Sequence, residues 1–287
     1  DGVDGDGDTA DVSAAREDLL QIGRGVSDIN QTALATIGDP IHSRPAVIVY
    51  DGDVGDADND GVIEPDLAVA MTTNEGYFHL FDAEDGSELF SFMPKEMLPL
   101  LWNANKKTPV DPEAGSNRFN AYGLDNSVVV LWQDGNGDDV IEADNGDASF
   151  EDRVVVFLSQ RRGGRNMYAL DLTDKTAPKL LWHIEGGVAN SGFEELGQTW
   201  STPTLTKMQD GVDVNGNPIV KDVLVFGGGY DEDYDRDGAQ DPGDGVNMGR
   251  AVYVVEALNG NKRFEIVDSS GTTDSDTLAI LTDSVPA

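Results

Sequence analysis

The sequence predicts an all-β fold: a β-propeller of four-stranded antiparallel blades, with about three blades present. Three observations predict it. One pattern occurs three times, in "GYFHLFDAEDGSELFSFM" from Gly76, "RNMYALDLTDKTAPKLLWHI" from Arg165 and "RAVYVVEALNGNKRFEIV" from Arg250. Each copy is an apolar strand, an acidic residue (Asp82, Asp171, Glu256), a polar turn and a second strand. Two more strands precede each copy, and all these runs are short and dense in Val and Ile, as buried strands are.

In chain order, residues 1–37 form an acidic segment, with a short helix predicted over 13–24 ("SAAREDLLQIGR"). The first blade spans about 38–100 and adds "RPAVIVYD" and "PDLAVAMTT" to its repeat. "PKEMLPLLWNANKK" then reads as a short helix and loop. The second blade, about 120–187, adds "NSVVVLWQD" and "DRVVVFLSQ"; the third, about 196–268, adds "STPTLTKM" and "KDVLVFGGG". Residues 276–287 read as the entry to a further blade. The units exceed the usual blade period of roughly 40 to 50 residues because of acidic insertions. The first two insertions join strand one to strand two, and the third joins strand two to strand three. In antiparallel blades that places the third on the opposite face.

Composition narrows the function. The formal charge is −35, which argues against nucleic-acid binding. No apolar run reaches the roughly 18 to 20 residues of a membrane helix. Cysteine is absent, and the three histidines (His42, His79, His183) are far apart, which argues against a zinc site or a histidine-based triad. His42 and His79 read as structural hydrogen-bonding residues, and the four tryptophans as wedges between blades. "RRGGR" at 161–165 reads as a tight turn whose arginines answer nearby acids. No signal peptide opens the sequence, which reads as a mature or excised piece.

Half of the 54 acidic side chains fall in residues 1–11, 50–66, 134–152 and 230–245. Three of these stretches carry oxygen donors at alternate positions. A loop that winds around calcium supplies donors at positions 1, 3, 5, 7 and 9, with a backbone carbonyl at 7 and a sharp turn at 6. The first loop assigns Asp56, Asp58, Asp60, the Val62 carbonyl and Glu64, with Asp66 spare. The second assigns Asp134, Asn136, Asp138, the Val140 carbonyl and Glu142, with Asp144 spare; Asp139 takes the turn position, which Asp tolerates better than most residues. The third assigns Asp233, Asp235, Asp237, the Ala239 carbonyl and Asp241, with Asp244 at position 12. "DGDGD" at Asp4, Asp6 and Asp8 lacks the later donors. All-oxygen, flexible ligation suits calcium better than magnesium. The competing reading is a set of solvated acidic loops.

The stretches "GDPIHSRPAVIVYDG" (38–52), "TTNEGYFHLFDAEDGSELFSFMPKEMLPLL" (72–101), "YGLDNSVVVLW" (122–132), "RRGGRNMYALDLTD" (161–174), "LGQTWSTPTLTK" (196–207) and "VLVFGGGY" (223–230) resemble, in order, the C-terminal β-propeller of the PilY-type family associated with type IV pili. The resemblance implies a cell-surface, pilus-tip or outer-membrane-associated protein acting in pilus assembly, adhesion and twitching motility. It implies minor pilins and a host or abiotic surface as partners, no enzymatic activity, calcium-dependent regulation and a ring of about seven blades. The family's calcium loop lies in a later blade, so its ligands do not carry over. Two alternatives stand beside it. "MYALDLTD" and "VYVVEALNG" also resemble blades of quinone-dependent dehydrogenases, although the Gly of their docking motif and the adjacent-cysteine pair are absent. The other is a purely structural acidic surface module.

Overall fold

The structure is a computed structural model that describes residues 37–55, 64–98, 100, 122–143, 151–231 and 248–267. These residues form three four-stranded antiparallel sheets. The first contains β1 (Ala46–Asp51), β2 (Asp66–Thr72), β3 (Phe78–Asp82) and β4 (Glu88–Phe92) in sequence order. The second contains β5 (Val129–Gln133), β6 (Arg153–Ser159), β7 (Met167–Asp171) and β8 (Lys179–Ile184). The third contains β9 (Thr204–Val212), β10 (Pro218–Gly227), β11 (Ala251–Glu256) and β12 (Lys262–Val267). The first strands approach one another, β1 beside β5 and β5 beside β9, as the inner strands of propeller blades do.

The middle sheet is buried on both faces. Side chains alternate across a strand. On β6, Val154, Val156 and Leu158 enter the core shared with the first sheet, while Val155 and Phe157 enter the core shared with the third. On β7, Tyr168 and Leu170 face the first sheet, and Met167 and Ala169 face the third. That is why "RVVVFLS" carries no polar alternation. Each fully buried Val or Leu contributes about 1.5–3 kcal/mol. Buried polar groups tie the seams. The Tyr50 hydroxyl donates to the Leu172 carbonyl at 2.8 Å, and the Trp182 indole donates to the Ala257 carbonyl at 2.7 Å. Burial, then the carboxylates of Asp66, Asp171 and Asp174, push the Tyr50 phenol above its ordinary range.

One residue, Asn126, ties the first two sheets to the segment that leads into β9, at the end away from the first two acidic insertions. Asn126 Nδ2 donates to Ser159 Oγ at 2.9 Å and to the Thr199 carbonyl at 3.2 Å. Its Oδ1 accepts from Thr202 Oγ1 and from the Ser127 amide, each at 2.9 Å, and its carbonyl accepts from Thr72 Oγ1 at 2.6 Å. Beside it, buried Asp125 takes His42 Nδ1 at 2.8 Å and Arg161 Nη1 at 3.4 Å. His42 is therefore a structural partner, as its position in the strand entry suggests. His79 is likewise packed, stacked between Tyr77 and Phe81 and bonded to Glu88.

"RRGGR" is a tight turn between β6 and β7, and its first two arginines take different partners. Arg161 reaches Asp125, whereas Arg162 lies over the rings of Tyr122 (5.1 Å) and Trp200 (5.5 Å). Gly163 is required there: a Cβ would stand 2.0 Å from the Gly123 carbonyl oxygen. Of the tryptophans, Trp182 is a buried wedge, Trp132 is 42% exposed, and Trp102 lies outside the described residues. So do the predicted helix at 13–24 and the strand entry at 276–287. The described part of "PKEMLPLL" begins as a 3-10 turn at Lys95–Met97. The third sheet differs from expectation in one respect: β9 continues to Val212 and β10 starts at Pro218. Asp213 caps that hairpin by accepting the Asn215 and Asn217 amides at 2.8 and 2.9 Å.

Asn126→Ala should lower stability by about 2–5 kcal/mol, because it strands several buried donors and acceptors at once. Urea unfolding followed by tryptophan fluorescence and by circular dichroism checks this. A loss below about 0.5 kcal/mol, the size typical of an inconsequential surface change, would contradict the role assigned to this amide.

Candidate metal loops

The second acidic loop, between β5 and β6, is described from Asp134 to Ala143. Asp134 organises it. One carboxylate oxygen accepts the Gly137 amide at 2.6 Å and the other accepts the Asp139 amide at 2.8 Å. Partial desolvation acts to raise the Asp134 carboxyl pKa, and the amides of Asp139, Gly137, Asp138 and Asn136 outweigh it, holding the group below its usual range. Asn136 Oδ1 accepts the Asp138 amide at 3.0 Å, and Asp138 Oδ1 accepts the Val140 amide at 3.0 Å. Asp139 adopts φ 66°, the left-handed conformation that the turn position demands and that Asp accommodates.

The loop is anchored twice. Gly52 donates to the Asp139 carbonyl at 3.2 Å, and Ile141 donates to the Tyr50 carbonyl at 2.7 Å. These bonds flank the bridge between Asp51 and Val140. In such a pair the bridging residue's own N–H and C=O face away from the partner strand. The Val140 carbonyl thus turns to the loop side, where its N–H meets Asp138. At the base, buried Asp152 accepts the Gly135 amide at 2.8 Å and the Glu142 amide at 3.0 Å. Sequence reasoning missed Asp152. Its only trace is an acid immediately before β6, among many other acids. The Glu142 side chain is exposed, and Asp144 lies outside the described residues.

In the first loop, Asp56, Asp58, Asp60 and Val62 lie outside the described residues. Its ends are paired: Val54 donates to the Glu64 carbonyl and Glu64 to the Gly55 carbonyl, both at 3.0 Å. Asp66 stands in β2 opposite Asp51, a like-charge pair that would repel. Lys175, from the second sheet, offsets this by holding both Asp66 oxygens at 2.5 and 2.6 Å. The third loop's Asp233, Asp235, Asp237, Ala239, Asp241 and Asp244 lie outside the described residues, as do Asp4, Asp6 and Asp8. Its base resembles that of the second loop: buried Asp231 accepts the Met248 amide at 3.3 Å. The connection leaves the opposite end of its sheet, where Tyr230 bridges Gln198.

The donors of the second loop are all oxygen, as a hard divalent cation requires. Among the described residues no three His, Asp or Glu side chains converge as a metal cluster by themselves. A cation here would therefore need Asn136 and the Val140 carbonyl beside Asp134 and Asp138.

Comparison with known proteins finds similar sequences among type IV pilus biogenesis factors. The chain is 28% identical over 217 residues to the type IV pilus biogenesis factor PilY1 of Pseudomonas aeruginosa strain UCBPP-PA14, covering 70% of this chain and 16% of that protein. Over that stretch the chain is similar to PilY1. The PilY1 of P. aeruginosa strain PAO1 is 32% identical over 164 residues, covering 56% of this chain and 11% of the relative. A PilY1 homolog of Xylella fastidiosa is 28% identical over 143 residues, covering 50% and 10%. The chain thus spans a sixth or less of the length of these PilY1 proteins. The crystal structure of the P. aeruginosa PilY1 C-terminal domain aligns with TM-score 0.39 and 23% identity over 72% of this chain and 32% of that one. No family model matches the chain.

Asp152→Ala should cost about 1–3 kcal/mol, since it leaves two amides without their acceptor, and Asp152→Asn should recover part of the loss by restoring one oxygen. Urea midpoints of the three proteins check this. Equal midpoints for Asp152→Ala and the parent would show that the base of the loop is held by something else.

Proposed function

We propose that this chain is a blade-bearing segment of a PilY1-type protein, working without catalysis at the cell surface or pilus tip in type IV pilus assembly, adhesion and twitching motility. The observation that carries the pilus reading is the sequence relationship to PilY1 over 70% of the chain. The relatives are named as biogenesis factors, which supports a binding or assembly role over the dehydrogenase alternative. Among the described residues no helix is long and apolar enough to cross a membrane. Minor pilins and a host or abiotic surface are the proposed partners.

The second part of the proposal is that the acidic loops hold calcium. Asp134, Asn136, Asp138 and the Val140 carbonyl supply oxygens around one turn, with Glu142 next along the chain. Asp56, Asp58, Asp60, Val62, Glu64 and Asp66 repeat the frame, and Asp233 to Asp244 repeat it on the opposite face. Carboxylates brought together repel, so a bound cation stabilises the folded loop and its binding free energy adds to folding by mass action. Calcium outside the cell would then set how firmly the loops hold their blades. The ion would supply charge neutralisation and no reaction step.

Cells producing the parent protein provide the test, with pilus number and twitching zones measured in low and millimolar calcium. Removing residues 38–267 should reduce both. The pair Asp134→Asn/Asp138→Asn should leave protein level unchanged and diminish the calcium response. Full piliation and motility after the deletion would contradict the pilus reading. An unaltered calcium response in the double variant would contradict a role for the second loop.

A further inference from the structure

A pocket of about 750 Å³ opens between β1 and β5, on the inner side of the first two sheets. Val47, Val49 and Trp132 wall it, and Asp51, Asp53 and Asp139 rim it, with Asp138 beside them. Val47 is 63% exposed, an unusual amount of apolar surface for a strand residue so near two cores. Trp132 is fixed in place because its indole N–H donates to the Val49 carbonyl at 2.8 Å. That bond also reports the direction of the strand edge. The Val49 carbonyl points away from β2, so by two-residue alternation the N–H and C=O of Val47 also face the open side. Among the described residues no backbone bond takes the Val47 N–H or C=O, and the pocket runs beside them.

Among the described residues that line it, none is Lys or Arg. One oxygen of Asp51 and one of Asp53 accept backbone amides, at 2.8 and 3.1 Å. Among the described residues no Lys or Arg forms an ion pair with Asp51, Asp53, Asp138 or Asp139. A chain of net charge −35 concentrates cations in such a concavity. An inorganic ion would make no use of the valine and indole walls. A neutral apolar ligand would take water from the carboxylates without replacing it. A long basic side chain satisfies both parts: its aliphatic stem packs on valine, and its cation meets the indole face and the carboxylates. The volume lies within the range of ligand pockets.

We propose that this pocket receives a lysine or arginine side chain from a partner polypeptide whose backbone runs along the open edge at Val47. The site goes beyond the pilus and calcium readings and depends on neither.

Calorimetric titration of the whole 287-residue chain with a blocked tetra-arginine peptide, at physiological ionic strength, tests it. Asp53→Asn/Asp139→Asn keeps side-chain shape and should weaken binding about tenfold. Trp132→Leu should weaken it comparably. The control pair Glu84→Gln/Asp85→Asn removes the same charge from the β3–β4 turn and should change binding by less than about twofold. Equal losses in the pocket and control pairs would overturn the proposal, since attraction would then come from the overall field. Spermidine binding as tightly, with the same dependence on Asp53, Asp139 and Trp132, would overturn it in favour of a small polyamine. If Trp132→Leu does not fold, the two charge pairs decide alone.

Discussion

Two-sided burial of the middle sheet is the constraint on which the rest of this structure depends. A sheet with one dry face tolerates a shift of its neighbour, because the wet face does not resist. Here Val154, Val156 and Leu158 are committed to one neighbour, and Val155 and Phe157 to the other. A one-residue slip of β6 would exchange the two sets and spoil both cores together. The Tyr50 and Trp182 bonds then fix each seam at a single height, because a buried hydroxyl or indole N–H that missed its carbonyl would lose its only compensation for burial.

The ends of the sheets are consequences of that stacking. At one end, Asn126 meets Thr72, Ser159 and Thr199 only because the stacked sheets bring β2, β6 and the segment before β9 within bonding distance. At the other, the second acidic loop lies against β1 only because β5 lies beside β1. The loop's conformation is thus held from outside as well as by its own amides. Asp152 holds its base and Tyr50 holds its exit. Preorganisation of this kind lowers the entropic cost of closing the loop around a ligand. The same arrangement lets the acids crowd together, since Lys175 crosses from one sheet to neutralise Asp66 in the other.

Much of this was legible in the sequence, for local reasons. Strand, acid, turn and strand recur because the third strand ends on an acid that holds the following turn: Asp82 accepts the Glu84 amide, Asp171 the Thr173 amide, and Glu256 the Asn259 side-chain amide. The turn position of the second loop was legible because few residues besides Gly and Asp accept a positive φ, and Asp139 has it. What escaped was long-range. Asp152 and Asn126 look like any acid or amide until the fold supplies their partners, and Trp132 reads as a wedge until its indole is seen capping an edge carbonyl. The long β9–β10 hairpin escaped because its outer half is exposed and polar, so burial periodicity does not mark it.

The most direct measure of the central claim is amide hydrogen exchange of the whole chain, resolved by residue. The loop exit belongs to the two-faced core, so the Ile141 amide, which donates to Tyr50 across the first seam, should exchange in the same slow class as Val155 to Leu158. Exchange of Ile141 as fast as that of the exposed turn amide of Gly86 would contradict it. The loop would then ride free of β1, and the stacking of the sheets would not position it.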